Sequence, residues 1–197
     1  DLEYWTRMLV EHDENVDIRV LTSIGNCHRK LKTYSEGIPF FERALQLEPG
    51  NFYALFGMAD CYRGMDEHDS SLLYWKKILD KDPENKVILT RTGDAYRHLS
   101  DFELAEEFYT KALDIEFDEY AILGLALISK SRGNYSEAID SLQGLLKNDV
   151  KNHRLYTEIA ECYLHIGDRD AAVETLSEFQ RLGIRNSYVS EMLLKLK

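Results

Sequence analysis

Thiols, basic charge and long apolar runs are all scarce in this sequence, and each shortage removes a class of function. Three cysteines in 197 residues cannot all pair, and no Cys-x2-Cys spacing exists to hold zinc. Cysteine usage leaves the compartment open. Lys and Arg number 24 against 35 Asp and Glu, a net charge of −11, which repels phosphate backbones and anionic bilayers and favours neutral or basic partners. No nucleic-acid partner is expected. Apolar stretches are broken by charge or glycine well short of the ~20 residues that cross a bilayer, and no basic-then-apolar leader pattern starts at Asp1. No membrane insertion is expected, and localisation stays unassigned.

Catalytic and metal-binding patterns are missing too. His12, His28, His68, His98, His153 and His165 form no His-x3-His pair and no His-Glu-x2-His motif, so the spacing that places two imidazoles on one metal is not present. His98 and His165 hold equivalent positions at the ends of expected helices. There is no phosphate-cradling glycine loop and no nucleophile elbow. Acidic runs such as Asp66, Glu67 and Asp69, or Asp114, Glu116, Asp118 and Glu119, fall at expected turns and lack the glycine and spacing of a calcium loop. No catalytic residue, cofactor or metal is assigned, and the chain is expected not to be an enzyme.

What is present is a ruler. Asp17, Asn51, Asn85, Asp118, Asn152 and Asn186 lie 33 or 34 residues apart, each a short polar residue just before an apolar helical run, where its side chain can accept from an unpaired backbone N–H. Between these caps one helix face repeats as Leu21-x2-Ile24-Gly25-x2-His28, Leu55-x2-Met58-Ala59-x2-Tyr62, Leu89-x2-Thr92-Gly93-x2-Tyr96, Ile122-x2-Leu125-Ala126-x2-Ser129 and Tyr156-x2-Ile159-Ala160-x2-Tyr163. A second helix follows in each copy, with Gly37, Ser71, Ala105, Ala138 and Ala172 four residues before Phe41, Trp75, Tyr109, Leu142 and Leu176. Small residues are expected where the two helices of a hairpin touch, the first-helix slots packing against the second-helix ones. Cys27, Cys61 and Cys162 share one slot with Ala95 and Ile128 and are expected to be packing residues. Copies one repeat apart should stand roughly 8–10 Å apart, beyond disulfide reach. Pro49 and Pro83 end second helices, where a missing N–H costs little. Thr33-x2-Glu36 and Ser100-x2-Glu103 are expected capping boxes, with Asn134 and Asp168 in comparable turns.

This pattern resembles the tetratricopeptide repeat, with its large residue, Leu-Gly, Tyr, Ala, aromatic and Pro in 34 positions. Phe117, Val150 and Ile184 depart from the turn proline, and Ser129 from the aromatic. The fold class expected is all-α: an α–α superhelix of five full hairpins (18–51, 52–85, 86–118, 119–152, 153–186) flanked by half-repeats at 1–16 and 187–197. Trp5 aligns with Trp75 in the first of these. Half-repeats at both ends suggest a piece of a longer array or terminal caps.

The resemblance implies that first helices line a concave groove in which an extended or helical protein segment docks. The inward positions expected there include Asn26, Arg29, Tyr53, Phe56, Asp60, Arg63, Asp94, Arg97, Tyr120, Leu123 and Lys130. Arg29, Arg63, Arg97 and Lys130 form a basic ladder beside Tyr53, Phe56 and Tyr120, suited to a partner bearing carboxylates and apolar anchors; alternatively these cations complement helix ends or pair with Asp60 and Asp94 one turn earlier. Reversing Arg63 and Arg97 together is expected to abolish partner capture without lowering the melting temperature. Gly57 and Gly124 leave room beside the inward slots for a partner side chain. Chaperone-binding members of the family hold a C-terminal Glu-Glu-Val-Asp tail with basic and Asn residues at slots occupied here by Thr22, Asn26, Gly57, Val87 and Arg91. Only Asn26 and Arg91 match, so an Hsp70 or Hsp90 tail is not the expected ligand. The function expected is a non-catalytic protein-binding scaffold. A structural subunit using edges or convex faces, and a recruiting arm of a larger enzyme, are the alternatives, while RNA processing would need a larger basic stripe.

Overall fold

The computed structural model describes residues 2–11 and 17–196, without the side chains of 9–11. Every regular element among them is an α-helix: α1 (Leu2–Glu11), α2 (Ile18–Leu31), α3 (Tyr34–Leu47), α4 (Phe52–Gly64), α5 (His68–Leu79), α6 (Lys86–His98), α7 (Phe102–Ile115), α8 (Glu119–Ser131), α9 (Tyr135–Leu146), α10 (His153–His165), α11 (Arg169–Arg181) and α12 (Ser187–Leu196). His12, the end of the half-repeat expected over 1–16, and Lys197 lie outside the described residues. No described helix is long and apolar enough to cross a membrane.

The chain divides into two compact units, Asp1–Glu116 and Phe117–Lys197. In the first, α2 packs on α3, α4 on α5 and α6 on α7, with α1 against α2 and each hairpin against the next. In the second, α8 pairs with α9 and α10 with α11, and α12 packs on α11. Buried clusters straddle neighbouring hairpins. Leu21, Phe41 and Ala44 meet Ala54, Met58 and Cys61 from the following one, and Ala138 and Leu142 meet Leu155, Ile159 and Cys162. Half of each core is supplied by the next copy, so a single hairpin has nothing to bury against. Cys61 and Cys162 are buried free thiols in these clusters and Cys27 is half-buried. Burial pushes the Cys61 thiol up to about 11, far from the reactive thiolate range.

The small-residue slots work differently from the expectation that small packs on small. A Cβ on Gly25 would lie 2.7 Å from the Phe41 ring, and one on Gly93 2.8 Å from Tyr109. The first-helix slot is thus empty to admit the aromatic ring of the second helix. Gly57 offers a partner no hollow, because the Phe41 ring fills it; Gly124 is likewise buried.

The cap ruler is real at five positions. Asp17 accepts from Arg19 N, Asn51 from Ala54 N, Asn85 from Ile88 N, Asp118 from Tyr120 N and Ala121 N, and Asn186 from Val189 N. Asn152 makes no side-chain cap bond. Asn51→Ala should therefore cost about 1 kcal/mol, whereas Asn152→Ala should change stability by only a few tenths, ~0.3 kcal/mol; urea melts of the two variants check the contrast.

The second-helix caps need correction. Lys32, Asp66, Ser100, Gly133 and Gly167 all have positive φ, and the N–H after each donates to the carbonyl five residues back, as from Thr33 to His28 and Asp101 to Tyr96. Each first helix ends in this left-handed turn. Ser100 is consumed by it, so Asp101 becomes the N-cap and accepts from Leu104 N. Thr33 does sit at the N-cap but its hydroxyl contacts His28 instead, while Glu36 reaches His28 Nδ1 at 3.2 Å. Asn134 makes no cap bond and Asp168 accepts from Ala171 N.

Candidate functional site

The first-helix rows carry more internal pairing than the sequence shows. Asp60, only 5% exposed, is gripped from two sides. Arg29 Nη1 of the neighbouring first helix donates to Oδ2 at 2.6 Å, and Arg63 Nε donates to Oδ1 at 2.8 Å, with Arg63 Nη2 in ion-pair contact with the same oxygen. Burial alone would raise the Asp60 pKa, but the hydrogen bond from Arg29 and the charge and hydrogen bond of Arg63 outweigh it, and the carboxyl is held below its usual value. Asn26 Oδ1 accepts from Arg29 Nε at 3.1 Å, and the guanidinium lies 5.8 Å over the Phe56 ring.

Further along unit 1, Asp94 accepts from the Tyr109 hydroxyl at 2.8 Å and lies 4.0 Å from Arg97. In unit 2, Lys130 bonds Glu158 at 2.7 Å and also pairs with Glu161. Every rung of the basic ladder thus faces a carboxylate within the protein, one turn away or in the next first helix, with Asp60 shared by Arg29 and Arg63. Arg29 and Lys130 join consecutive first helices, whereas Arg63 and Arg97 pair within their own helices, so the ladder is not a free row of cations. Reversing Arg63 and Arg97 would put carboxylate on carboxylate at Asp60 and Asp94 and lower stability, so that change is not a clean probe of binding.

Unsatisfied chemistry collects instead at one end of unit 1. A hollow of about 520 Å³ is lined by Trp5 of α1, by Ser23, Asn26, Cys27, Arg29 and Lys30 of α2, and by Phe52, Tyr53 and Phe56 of α4. Four expected groove residues, Asn26, Arg29, Tyr53 and Phe56, are brought together in it. Tyr53 is 66% exposed, and Phe56 is braced edge-on against the buried Trp75 at 5.2 Å. Lys30 is exposed and pairs with no described residue, and no described Asp or Glu lines the hollow. Arg91, half-buried on α6, also lacks a described partner. Tyr120 on α8 is 65% exposed, whereas Leu123 is partly buried against the unit 2 core.

Sequence reasoning did not find Trp5, Lys30 and Phe52 as wall residues. It also did not find a row of ring stacks in unit 1, His28 on Phe40, Tyr62 on Tyr74 and Tyr96 on Phe108, with centroids 5.5–5.8 Å apart. The signal existed: Phe40, Tyr74 and Phe108 are themselves one repeat apart.

Sequence-family comparison agrees with this architecture. Profiles described as Tetratricopeptide repeat match residues 18–51 and 88–119, 53–85, and 131–180. The chain belongs to the tetratricopeptide repeat superfamily. Its helical hairpins give it the all-α solenoid class of that family, whose repeats are generally non-catalytic interaction modules. No curated protein matches the sequence. Similar solved structures include a tetratricopeptide repeat protein from Parabacteroides merdae, 21% identical with a TM-score of 0.76 over 99% of this chain and 90% of that one. Cut9-Hcn1 of the APC/C is 18% identical with a TM-score of 0.78, over 99% of this chain and 39% of that one. YrrB, described as having an unusual peptide-binding site, is 17% identical with a TM-score of 0.67, over 99% and 100%. At these identities the likeness is one of fold.

Proposed function

We propose that the chain is a non-catalytic scaffold whose first-helix groove takes a partner polypeptide, with the hollow at α1, α2 and α4 receiving an apolar side chain and a neighbouring carboxylate. The observation that carries this reading is the composition of the hollow. Its walls are aromatic and its charged groups are all cationic, in a protein with 35 acidic and 24 basic residues. Arg29 spends donors on Asn26 and Asp60 and keeps Nη2 for a ligand, held in position before binding by those same bonds. Such pre-organisation lowers the ordering cost of recognition, and exposed Tyr and Arg are favoured anchor types. Peptide recognition described for YrrB and subunit assembly in Cut9-Hcn1 show both uses of this fold.

The test is affinity capture with mass spectrometry, comparing wild type with the double variant Tyr53→Ala/Lys30→Glu. Both side chains are exposed, so the melting temperature should stay within about 1 °C. Captured partner should fall about tenfold or more. Undiminished capture by the folded variant would move the contact to another surface. The candidate surface is then the hairpin edges of unit 1, where Leu47 and Ile115 are exposed at 55% and 45%, as a structural subunit would use.

A further inference from the structure

The residue that opens a second helix recurs against the end of the following first helix. In unit 1 the Tyr34 ring occupies the space beside Gly64, and His68 stacks on His98 with centroids 4.5 Å apart and planes at 17°. In unit 2 Tyr135 stacks on His165 at 4.8 Å with parallel planes. The three contacts share one register of the repeat. Each ties a hairpin to its successor at the end of the first helix. Among them, only the second is built from two imidazoles.

We propose that the His68–His98 stack is an acid-sensitive joint between the α4/α5 and α6/α7 hairpins. The geometry favours a neutral His98 ring. Arg97 Nη2 is 2.9 Å from His98 Nε2, and a guanidinium can only donate, so Nε2 accepts and the ring proton resides on Nδ1. A second proton at Nε2 removes that bond and sets two N–H groups of like charge against each other. His68 Nδ1 is buried with no hydrogen-bond partner, so a proton added there faces no acceptor. Two stacked imidazolium rings would also repel.

The groups facing the pair come from three places. Asp66 in the turn before α5 and Asp94 of α6 favour the charged form of His98, while Arg97 and His68 oppose it. Asp94 is already engaged by the Tyr109 hydroxyl of α7. Glu67, beside His68, accepts from Ser70 at 3.3 Å. Partial burial first, then Arg97 and His68, leave His98 below its ordinary value.

The sign follows from linkage. A histidine whose folded-state pKa is depressed contributes its full stabilisation above about 6.5, the unfolded value, and loses it as pH falls through the folded one. Acidification therefore loosens this joint first. The seam between α4/α5 and α6/α7 then loosens at this end, while the buried core of Trp75, Ile78 and Ile88 still joins the two hairpins.

Hydrogen exchange followed by mass spectrometry tests this, with rates corrected for intrinsic exchange, at about pH 7.5 and about pH 5.5. The control is the double variant His68→Tyr/His98→Ser, which installs the residue types found at the equivalent positions Tyr34 and Ser131. Protection of α5 and α6 in the wild type should fall about fivefold more on acidification than in the variant, with α10 and α11 responding alike in both proteins. Equal responses of α5 and α6 would overturn the proposal. A second measurement needs no variant: the His98 ring protons of the wild type, followed by NMR, should titrate below free imidazole. Titration at or above that value would equally sink it.

Discussion

Ala105→Arg should melt the first unit at a temperature at least about 10 °C below the wild type. Ala105 is completely buried near the start of α7, where its N–H continues the helix from the Asp101 carbonyl. It faces α6 in the same hairpin where Gly93 admits the Tyr109 ring at a separation that leaves no room for even one more methyl group. A guanidinium on a long stem has two unfavourable choices there. Staying inside, it costs overpacking of about 1–3 kcal/mol and the desolvation of an unpaired charge on top. Reaching water, it separates α7 from α6. Either way the loss is on the order of 4 kcal/mol, a large share of the 5–15 kcal/mol that holds a domain together. Because each core is half built by the neighbouring hairpin, fraying of α6/α7 withdraws support from α5 as well. Thr110→Arg is the control on the same helix, at an exposed position, and should shift the melt by about 1 °C or less. A circular dichroism melt of Ala105→Arg that overlays the wild type would refute the packing register.

The comparison of sequence with structure turns on which partners are local. Asn51 caps its own helix three residues on, and Asp118 likewise, so a cap is visible as a residue type at one position. Gly93 announces that something approaches closely, yet the sequence does not say that the visitor is Tyr109 rather than Ala105. Distance along the chain does not reveal which ridge enters the slot. The ladder shows the same limit at longer range. Arg29, Arg63 and Arg97 are evident as a periodic row, but the acceptor of Arg29 is Asp60, 31 residues later, and those of Lys130 are Glu158 and Glu161, 28 and 31 later. Those separations are one repeat less one turn or two. They are set by how neighbouring helices pack, which is invisible to a one-dimensional period. The hollow is hidden for a related reason: Trp5 was legible as the equivalent of Trp75 and hence as core, but it stands at the edge of a pocket, half-buried rather than sealed.

Asp60→Ala should cost about 2–3 kcal/mol in urea unfolding and weaken ligand capture together. Removing the carboxylate leaves two guanidinium groups, on adjacent first helices, without their common acceptor. Breaking a fully buried pair in this way costs about 3–5 kcal/mol, but Arg29 and Arg63 are 25% and 37% exposed, so water recovers part of the loss. The stability that Asp60 confers has its own pH window. Its folded pKa is depressed, so the contribution is complete above the unfolded value of about 3.9 and disappears as pH falls through the folded one. The effect on binding is expected because Asp60 holds the Arg29 guanidinium over Phe56, at the wall of the hollow. A double-mutant cycle with Arg29→Ala isolates the pair from the rest of the network. A coupling of about 1–3 kcal/mol is expected, and additivity within error would mean that the Asp60–Arg29 contact is geometric only. In that event the hollow would lose its pre-organised donor, and Lys30 alone would have to account for any preference for carboxylate ligands.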